Sequence, residues 1–430
     1  MPRSTPLFLA AALALAASAA QAADPARSAI FLHPDGMGAN TWSALRLSEV
    51  GPDGRLGWDA LPNAAVYVGP MLDSVNASSN GGATTHAYGI RAALASYGSL
   101  DGGSVPTAAS GQRMSLMREA QAAGKKVALL NSSSLTEPGT GAFLASVAQR
   151  DDEAAIAAQI LQARPDIALG GGEGFFLPKG RTGRHGPGLR EDGRDLVREA
   201  RKAGYAVVFT RDELARLPRD ARKVLGLFAH EETFNEGDEA TLAREGRPVF
   251  QPQAPRFDEM LDFILDRIGD APGGYLVVGN EEATDNLSGE NNAPAVLEAA
   301  AGADRAIRRA LQEAQRNPAL TVVVASDSDN GGMNATSDDL DDPADLPRPL
   351  PARTAVGSPL DSRDGEPFLA APDARGVRVP FYITWASDSD SAGGTVARGI
   401  GPGARLIQGT IDSTAIYRAL YLGLFDRTLP

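Results

Sequence analysis

The sequence predicts an α/β protein with a doubly wound, mostly parallel central sheet and helices on both faces. Short apolar runs alternate with helix-like segments along the chain, which is typical of strands joined by crossover helices. Several of these runs end at glycines or carboxylates, and residues 320–325, before Asp327, form the clearest one. A chain of 430 residues, 43% of them hydrophobic, is long enough to bury a core beneath both faces of such a sheet.

The predicted elements follow the chain in a regular alternation. Apolar and β-branched runs predict strands over residues 28–33, 64–68, 126–130, 166–169, 206–210, 224–229, 274–278, 320–325 and 379–385. Helical spacing and end signals predict helices over residues 40–50, 83–88, 114–124, 151–163, 191–204, 257–268, 294–315 and 410–422. Pro294 suits the first turn of the longest helix, where a missing N–H costs little. Residues 335–377 are rich in Asp, Pro and Ser and predict a loop-rich insertion.

The N-terminal segment resembles a secretory signal. Arg3 supplies a positive charge, residues 7–19 form an apolar run, and residues 20–22 read Ala-Gln-Ala, a small-x-small cleavage site. The apolar run is too short to span a bilayer as a stable helix. We therefore expect cleavage after Ala22, a single domain over residues 23–430, and a periplasmic or secreted location.

The net charge limits the classes of binding partner, and the cysteine content limits how the fold can be stabilised. The formal net charge is −13, which argues against a general nucleic-acid or anionic-membrane binder. The chain contains no cysteine, so its core must be stable without disulfides. A site for phosphate in so acidic a chain needs metal ions or a local arginine to offset the negative field.

Residues 79–89, Ser-Asn-Gly-Gly-Ala-Thr-Thr-His-Ala-Tyr-Gly, predict a sharp turn that leads into a helix. Glycine lets the backbone approach a ligand closely, and free N–H groups at a helix N-terminus bind phosphate well. Thr84 or Thr85 would then be presented to a phosphoryl group as a nucleophile. The alternative is a glycine-rich turn that caps a buried helix, because such loops alone are weak signals.

Oxygen-bearing side chains follow five predicted strands. They are Asp35; Glu137 with Thr140; Glu281, Glu282 and Asp285; Asp327 with Asp329; and Asp388 with Asp390. Strand ends on one edge of a parallel sheet converge, and so many carboxylates would repel unless cations held them. Any single one could instead cap a helix or lie in a solvated loop. All-oxygen sets suit Mg²⁺ first, with Ca²⁺, Mn²⁺ or Zn²⁺ as alternatives.

The ordered set of motifs resembles the bacterial alkaline phosphatases over essentially the whole mature length. It comprises Asp-Gly-Met-Gly at 35–38, the nucleophile helix, the segment 163–172, Gly-Leu-Phe-Ala at 226–229, the acidic turn after 275–278, and residues 322–327. The resemblance implies a phosphatase with an α/β fold and divalent metals. It implies that Asp35 bridges two metal positions and that Arg150 grips the substrate phosphate in a bidentate fork.

Other roles implied by the resemblance concern the metal sites. Glu137 and Thr140 would belong to a third, Mg²⁺-type site with Glu281 or Asn280 nearby, while Asp285 and Asp327 would bind metal. Asp329 and Asp390 are further candidate ligands. The zinc-binding histidines of the family are missing, since Gly289, Ser328 and the 388–390 region stand where they would be. His33, His86, His185 and His230 are the four histidines of the chain, and none falls on those positions. The resemblance therefore implies a divergent branch with oxygen-rich metal sites.

The nucleophile is the least settled assignment. Laying the family's Asp-Ser-Ala-Ala-Ser/Thr-Ala-Thr pattern over residues 80–85 makes Thr84 the nucleophile, whereas counting back from Gly89 leads to Gly82, which cannot attack. We favour Thr84 over Thr85. His86 and Asn80 are then expected to orient the helix or to contact substrate.

These observations predict a secreted, metal-dependent phosphomonoesterase that works through a phosphothreonine intermediate on small-molecule phosphate esters. Neither nucleic acid nor membrane is expected as a partner, and a homodimer is left open. A phosphodiesterase or sulfatase of the same superfamily is an alternative, although a sulfatase is disfavoured because no cysteine is available for conversion. A phosphate- or cation-binding protein that has lost catalysis is the other alternative.

Overall fold

The computed structural model describes residues 26–337, 349–354, 356–363, 365–391 and 393–430. The predicted signal at 1–22 and residues 338–348 of the predicted insertion lie outside the described residues. Within the described ranges, no helix combines the length and the apolar character needed to cross a bilayer.

The described chain contains sixteen strands and thirteen α-helices. The strands are β1 (Ser28–Pro34), β2 (Asn63–Val68), β3 (Lys126–Ser134), β4 (Ile167–Gly171), β5 (Ala206–Val208), β6 (Val224–Leu227), β7 (Tyr275–Glu281), β8 (Leu320–Val324), β9 (Asp329–Asn330), β10 (Asn334–Thr336), β11 (Leu360–Asp361), β12 (Phe368–Leu369), β13 (Pro380–Thr384), β14 (Asp390–Ser391), β15 (Val396–Ile400) and β16 (Gly409–Asp412). The helices are α1 (Ala39–Val50), α2 (Ser79–Tyr88), α3 (Leu116–Ala122), α4 (Pro138–Gly141), α5 (Glu153–Ala163), α6 (Glu173–Phe176), α7 (Leu196–Lys202), α8 (Arg211–Ala215), α9 (Glu239–Glu245), α10 (Phe257–Ile268), α11 (Ala283–Gly289), α12 (Ala293–Arg316) and α13 (Ala415–Phe425).

Ten strands form one sheet in the order β16-β2-β15-β8-β1-β7-β3-β4-β6-β5. The seven strands from β8 to β5 are mutually parallel, and β15 alone runs antiparallel to its two neighbours. The predicted fold class, a mostly parallel sheet with helices around it, is confirmed. The order also places β1 at the centre, so both of its faces must be covered.

Strand β1 shows how the two faces are filled. Ile30 and Leu32 pack into the core formed with α1, α10 and α12, while Ala29 and Phe31 pack against α2, α3, α5 and α13. All four side chains are almost completely buried. Side chains alternate between the two faces along a strand, and a strand buried on both sides therefore appears as a continuous apolar run.

Most element boundaries agree with the predictions to within a few residues, and α10 agrees at both ends. The C-terminal region differs, because residues 410–412 belong to β16 and the last helix begins at Ala415. Strand β15 was not predicted. Its sequence, Val-Ala-Arg-Gly-Ile, is short and contains Arg398, whose guanidinium lies over the ring of Trp58 at 4.2 Å from the centroid. Tertiary stacking thus stabilises a charged residue within a strand.

Strand β13 lies outside the main sheet, although the sequence suggested a core strand. It pairs antiparallel with β10, β11 and β12, so the predicted loop-rich region contains short strands as well as loops. The chain then returns through β14, which pairs with β9 and sets Asp390 opposite Asn330. This short pairing brings the end of the excursion back to the edge where β8 ends.

We expect Leu129→Ala to lower the free energy of unfolding by about 2–5 kcal/mol, because it opens a cavity in a core strand. Leu72→Ala is the matched control, since Leu72 is 64% exposed, and its effect should stay within about 0.5 kcal/mol. Chemical denaturation followed by circular dichroism measures both values. Equal effects of the two substitutions would contradict the placement of β3 in the core.

Candidate active site

The candidate site lies where four neighbouring parallel strands end. β8, β1, β7 and β3 are adjacent, and their carboxyl ends share one edge of the sheet. Loops leaving this edge are the usual location of a site in an open α/β sheet. They carry Asp327 after β8, Asp35 after β1, Glu282 after β7 and Glu137 after β3. Four of the five predicted strand ends therefore lie side by side.

Three buried side chains form the centre of the site. His33, Asp35 and Asp327 each offer a ligand atom, and these atoms all lie within 4.8 Å of one another. The Nε2 atom of His33 is 3.6 Å from Oδ1 of Asp35 and 3.5 Å from Oδ1 of Asp327. None of the three is appreciably exposed to solvent. The arrangement concentrates negative charge around one imidazole.

The carboxylates at this centre lack the partners that buried charges normally have. Burial, together with the charges of Asp327, Glu282 and Asp285, raises the pKa of Asp35 well above its usual range. Burial works in the same direction on Asp327, but the nearby His33 outweighs it and lowers the pKa of that carboxyl. Oδ2 of Asp35 and both carboxylate oxygens of Asp327 have no hydrogen-bond partner among the described residues. Unpaired buried oxygens of this kind fit a divalent cation.

A second carboxylate pair adjoins the first. Burial and the charge of Asp390 raise the pKa of Asp285 well above its usual range. The pKa of Asp390 rises to about 6 through burial and the charge of Asp327, although Ser328 donates a hydrogen bond to it at 2.7 Å. Oδ1 of Asp285 has no partner among the described residues. The two side chains offer another position for a cation, with oxygen as the donor.

Arg150 stands at the rim on the other side of the centre. Its Nη2 donates to Oε2 of Glu137 at 2.6 Å, and its side chain is 42% exposed. Glu282 lies behind this pair and accepts a hydrogen bond from the Asn280 amide. Burial and the charges of Glu137 and Asp285 raise the pKa of Glu282 well above its usual range. Among the described residues, only Nη2 of the Arg150 guanidinium bonds a side chain. Its other nitrogens are therefore available to an anionic ligand.

Helix α2 directs its N-terminal end at the same cluster. The Ser78 hydroxyl caps the helix by accepting a hydrogen bond from the N–H of Gly81 at 3.2 Å. Gly82 faces Asp327 so closely that a β-carbon there would collide with the carboxylate. Ser79 lies one turn earlier on the same face, in the first turn of the helix. The free N–H groups of a helix N-terminus favour an anion at this position.

The two threonines predicted as nucleophiles use their hydroxyls elsewhere. Thr84 donates to the carbonyl of Ser96 at 2.8 Å and accepts from the N–H of Gly98 at 2.7 Å. Thr85 donates to the carbonyl of Gly81 within its own helix at 2.8 Å. Both residues are fully buried and hold α2 against the loop that follows it. The geometry therefore contradicts the prediction of a threonine nucleophile.

Glu281 lies on the other face of the sheet from the central cluster. Burial raises its pKa to about 8, and the charges that act on it come from Asp258, Arg256 and Arg305 of the helical layer. Glu282, one residue later, joins the cluster instead. Strand β7 ends at Glu281, and the backbone turns into a helical conformation at Glu282, the N-cap of α11, so the two adjacent side chains do not share a direction. The predicted role of Glu281 as a metal ligand is thus not supported by its position.

Thr140 and Asp329 each accept a hydrogen bond from another residue of the protein. The Thr140 hydroxyl accepts from the Asn131 amide at 2.9 Å and stabilises the turn between β3 and α4. The Asp329 carboxylate accepts from the N–H of Gly38 at the N-terminus of α1, and burial raises the pKa of Asp329 to about 6. Neither residue belongs to the group formed by His33, Asp35 and Asp327. Oδ1 of Asp329 is buried without a partner among the described residues. The roles of Thr140 in a third site and of Asp329 as a ligand stay predictions.

His86 and Asn80 lie on α2, as expected. Nε2 of His86 is 2.8 Å from the Tyr67 hydroxyl, and burial with the nearby His33 lowers the pKa of His86 to about 3. The imidazole is fully buried and bonds Tyr67 of the neighbouring strand β2, which agrees with its expected role in orienting the helix. Its alternative contact with substrate stays a prediction. Oδ1 of Asn80 is buried without a partner among the described residues, and its predicted contact with substrate stays a prediction.

Sequence reasoning missed the roles of two residues that the structure brings to the site, namely His33 and Ser79, whereas Glu282 was already among the candidate oxygen ligands. His33 lies near the end of β1 and Asp35 follows immediately after that strand, so both are at the same end of β1. Ser79 precedes Gly82 by three positions in a helix, which places both on one face. Both signals were present in the sequence, but each required the element and its orientation to be known first.

A polar cavity of about 520 Å³ adjoins the acidic cluster. Its lining includes Arg184, Arg247, Glu232 and Glu236. Burial, a hydrogen bond with Glu236 and the charges of Glu236, Glu137 and Glu282 raise the pKa of Glu232 to about 10. The cavity therefore lies within electrostatic reach of the Glu137–Arg150 pair.

The amino-acid sequence is similar to those of known proteins of one enzyme family. A family model described as alkaline phosphatase matches residues 26–348. Streptomycin-6-phosphate phosphatase from Streptomyces griseus is 30% identical over 342 residues, which cover 70% of this chain and 73% of that protein. The tissue-nonspecific alkaline phosphatase of Rattus norvegicus is 26% identical over 340 residues, which cover 70% of this chain and 63% of that enzyme.

Solved structures agree in fold. Alkaline phosphatase from Thermus thermophilus superposes with a TM-score of 0.71 at 22% identity, covering 94% of this chain and 92% of that one. A histidine-to-glutamate variant of the TAB5 alkaline phosphatase, with Mg bound in its M3 site, superposes with a TM-score of 0.66 at 20% identity, covering 93% and 98%.

The buried carboxylates predict a pH-dependent stability for the metal-free protein. A carboxyl whose pKa is raised on folding binds more protons in the folded state, so the free energy of unfolding falls as pH rises from about 4 in the unfolded chain through the folded value. The folded values are about 6 for Asp390 and about 7 for Glu153. We expect a loss of about 2 kcal/mol between pH 4.5 and pH 8 in chelator.

Added Mg²⁺ should oppose this loss, because a cation takes the place of the bound protons and is bound by the folded state alone. Thermal unfolding at several pH values, with EDTA or with Mg²⁺, measures both effects. We expect a larger rise in Tm on adding Mg²⁺ at pH 8 than at pH 5. A metal-free Tm that stays constant or increases across this range would show that these carboxylates are not held protonated.

Proposed function

The chain belongs to the alkaline phosphatase family, and we propose that it hydrolyses phosphate monoesters at the cluster around Asp35. One observation carries the proposal: a partly exposed arginine and a helix N-terminus converge on buried carboxylates whose oxygens lack partners. The arginine and the helix are suited to a phosphate, and the carboxylates are suited to cations. The family's phosphatases support the reaction class.

The central carboxylates would hold the cations. Asp35 and Asp327 fit one position, Asp285 and Asp390 fit another, and the unpaired oxygens support both assignments. Divalent cations at these positions would lower the pKa of a bound hydroxyl or water and offset charge on the phosphoryl oxygens. The exact ions, with Mg²⁺ foremost, are part of the proposal.

Ser79 is the nucleophile that we propose in place of Thr84. Its side chain is at the N-terminal end of α2, on the face where Gly82 meets Asp327. In the first step the Ser79 oxygen bonds to phosphorus while the bond from phosphorus to the alcohol oxygen breaks, and the alcohol leaves with a proton. Water then attacks the phosphoserine, and inorganic phosphate leaves as the serine regains its hydrogen. A positioned hydroxyl thereby divides the reaction into two steps.

Arg150 would bind the transferring phosphoryl group. Two parallel N–H donors of a guanidinium match two phosphate oxygens, and this match is closest when another group holds the planar fork in position. The hydrogen bond to Glu137 provides such a hold. Stabilisation of equatorial charge is the main requirement of phosphoryl transfer.

Glu137 is also the proposed ligand of a third, Mg²⁺-type position together with Glu282. The two carboxylates lie close enough that the charge of Glu137 raises the pKa of Glu282, and a cation between them would relieve this repulsion. The TAB5 variant with glutamate in place of a histidine has Mg bound in its M3 site, which shows that a glutamate substitution in that protein is compatible with Mg binding.

The leaving alcohol would occupy the polar cavity that adjoins the Glu137–Arg150 pair. Its volume of about 520 Å³ suits a small polar alcohol, and its mixed lining of arginine and glutamate suits hydroxyl and amine groups. A periplasmic or secreted location is proposed from residues 1–22 alone. A phosphodiesterase remains the alternative enzyme, and loss of catalysis with retained binding is the non-enzymatic one.

We expect Ser79→Ala to reduce kcat for p-nitrophenyl phosphate by roughly a thousandfold or more, as the loss of a nucleophile does. Ser78→Ala is the matched control. It removes a helix cap at a cost of about 1 kcal/mol in stability and leaves kcat within a few-fold of wild type. Peptide mapping of acid-quenched enzyme should place a phosphoryl group on Ser79.

Full activity of Ser79→Ala would remove Ser79 as the nucleophile, and a phosphoryl group on Thr84 would restore the earlier prediction. Binding of phosphate without turnover in the presence of each divalent metal would instead favour a protein that has lost catalysis. Faster hydrolysis of bis(p-nitrophenyl) phosphate than of the monoester would favour the phosphodiesterase.

We expect Arg150→Lys to raise the KM for the same ester and the Ki of inorganic phosphate roughly tenfold, because one charged hydrogen bond worth ~1.5 kcal/mol is lost. Steady-state kinetics measures both constants. Arg216→Lys is the control. The Arg216 side chain is 75% exposed and pairs with Asp212, four residues earlier, away from the candidate site. Unchanged constants in Arg150→Lys would exclude Arg150 from the phosphate site.

A further inference from the structure

We propose that His33 supplies a nitrogen ligand to the cation held by Asp35 and Asp327. This position would then take a metal of the Zn²⁺ class through mixed nitrogen and oxygen donors, whereas Asp285 and Asp390 would hold a second cation through oxygen alone. The inference rests on the proposed function only in that both require a cation at Asp35. It goes beyond the oxygen-only metal sites that the sequence suggested.

The spacing of the ligand atoms fits a small tetrahedral ion. Zinc lies about 2.0–2.1 Å from imidazole nitrogen and carboxylate oxygen, so two ligands at a tetrahedral angle are about 3.3–3.4 Å apart. The distances from Nε2 of His33 to Oδ1 of Asp35 and of Asp327 are 3.6 Å and 3.5 Å. Both distances exceed the tetrahedral spacing by a few tenths of an ångström, and all three ligand atoms lie within 4.8 Å of one another.

The same distances disfavour a simple ion pair. A charge-assisted hydrogen bond between nitrogen and oxygen is normally about 2.7–2.9 Å long. Nε2 of His33 is farther than that from both carboxylates, and neither ring nitrogen of His33 has a hydrogen-bond partner among the described residues. A fully buried imidazole without a partner is costly unless something else occupies its lone pair.

The surroundings hold the imidazole in a fixed orientation. The ring of His33 stacks on Phe31 with centroids 5.7 Å apart, and it meets the ring of His86 edge to face at 5.3 Å. Both His33 and Phe31 belong to β1, the central strand of the sheet. A ligand on a rigid strand gives a metal site precise geometry, which is the arrangement that selects one metal over another.

The neighbouring carboxylate pair provides an internal contrast. The carboxyl of Asp390 interacts directly with that of Asp285 and accepts a hydrogen bond from the hydroxyl of Ser328, and among the described residues the one metal-binding group that contains a histidine includes neither carboxyl. Oxygen donors alone favour Mg²⁺, Ca²⁺ or Mn²⁺, whereas imidazole favours Zn²⁺ or Cu²⁺. The two positions should therefore differ in metal preference within one site.

Pulsed electron paramagnetic resonance of untagged, metal-free protein loaded with one equivalent of Cu²⁺ tests the proposal directly. We expect the nitrogen coupling of a bound imidazole in the wild-type protein and in His230→Gln, and its loss in His33→Gln. The chain has four histidines, so His86→Gln and His185→Gln complete the set of controls, and both should retain the coupling. Coupling that persists in His33→Gln, or that disappears in His86→Gln alone, would overturn the proposal.

Zn²⁺ affinity, measured by competition with a chelating dye, gives a second readout. We expect His33→Gln to weaken Zn²⁺ binding by at least about tenfold, with Mg²⁺ binding altered less than about twofold. Equal weakening of both metals would indicate a structural defect and reject the assignment. If His33→Gln does not fold, the wild-type spectrum decides, because an absence of nitrogen coupling there is sufficient to reject it.

Hydrolysis of p-nitrophenyl phosphate, measured separately, keeps the two proposals apart. A wild-type protein that hydrolyses the ester without nitrogen coupling would reject the role of His33 and leave the phosphatase function standing. Nitrogen coupling without hydrolysis in any divalent metal would do the reverse.

Discussion

Repulsion between buried carboxylates is the constraint on which the site depends. Asp35, Glu282, Asp285 and Asp327 lie beside one another because four parallel strands end at one edge, and the sheet leaves them no way to separate. Arg150 offsets this charge at one end of the cluster. Protons balance part of the remainder in the metal-free protein, and the proposed cations would replace them. The fold thus determines where the carboxylates lie, and their negative charge has to be neutralised by bound protons or cations.

Helix α2 can pack close to the carboxylate cluster because Gly82 has no side chain. Gly82 allows the helix to approach Asp327 as closely as it does, since any β-carbon would meet the carboxylate. The approach sets Ser79 and the helix N-terminus toward the charge, while Thr84 and Thr85 secure the other sides of the helix. Helix face therefore separates Ser79, the proposed nucleophile, from the threonines that hold the helix in place.

The sequence was sufficient for the fold class and for most element boundaries, because strand and helix periodicity is local information. It was also sufficient to predict that Asp35, Glu137, Asp285 and Asp327 follow strand ends on one edge. It failed where a residue's role depends on which way a side chain points. Glu281 and Glu282 are adjacent but face opposite sides of the sheet, and Thr84 differs from Ser79 in helix face. His33 was overlooked because one of its two partners, Asp327, follows another strand and is distant in sequence.

The two-residue pairing of β9 with β14 has a consequence for how the site forms in time. It closes an excursion whose ends, Ser328 and Asp390, are 62 residues apart, and such contacts carry a loop-closure cost that local contacts do not. The pairing depends on the central sheet, because β9 follows β8 and is positioned by it. Until the excursion docks, Asp285 lacks its companion carboxylate. A cation that binds between Asp285 and Asp390, as proposed, would therefore bind only after the sheet has formed and the excursion has docked on it.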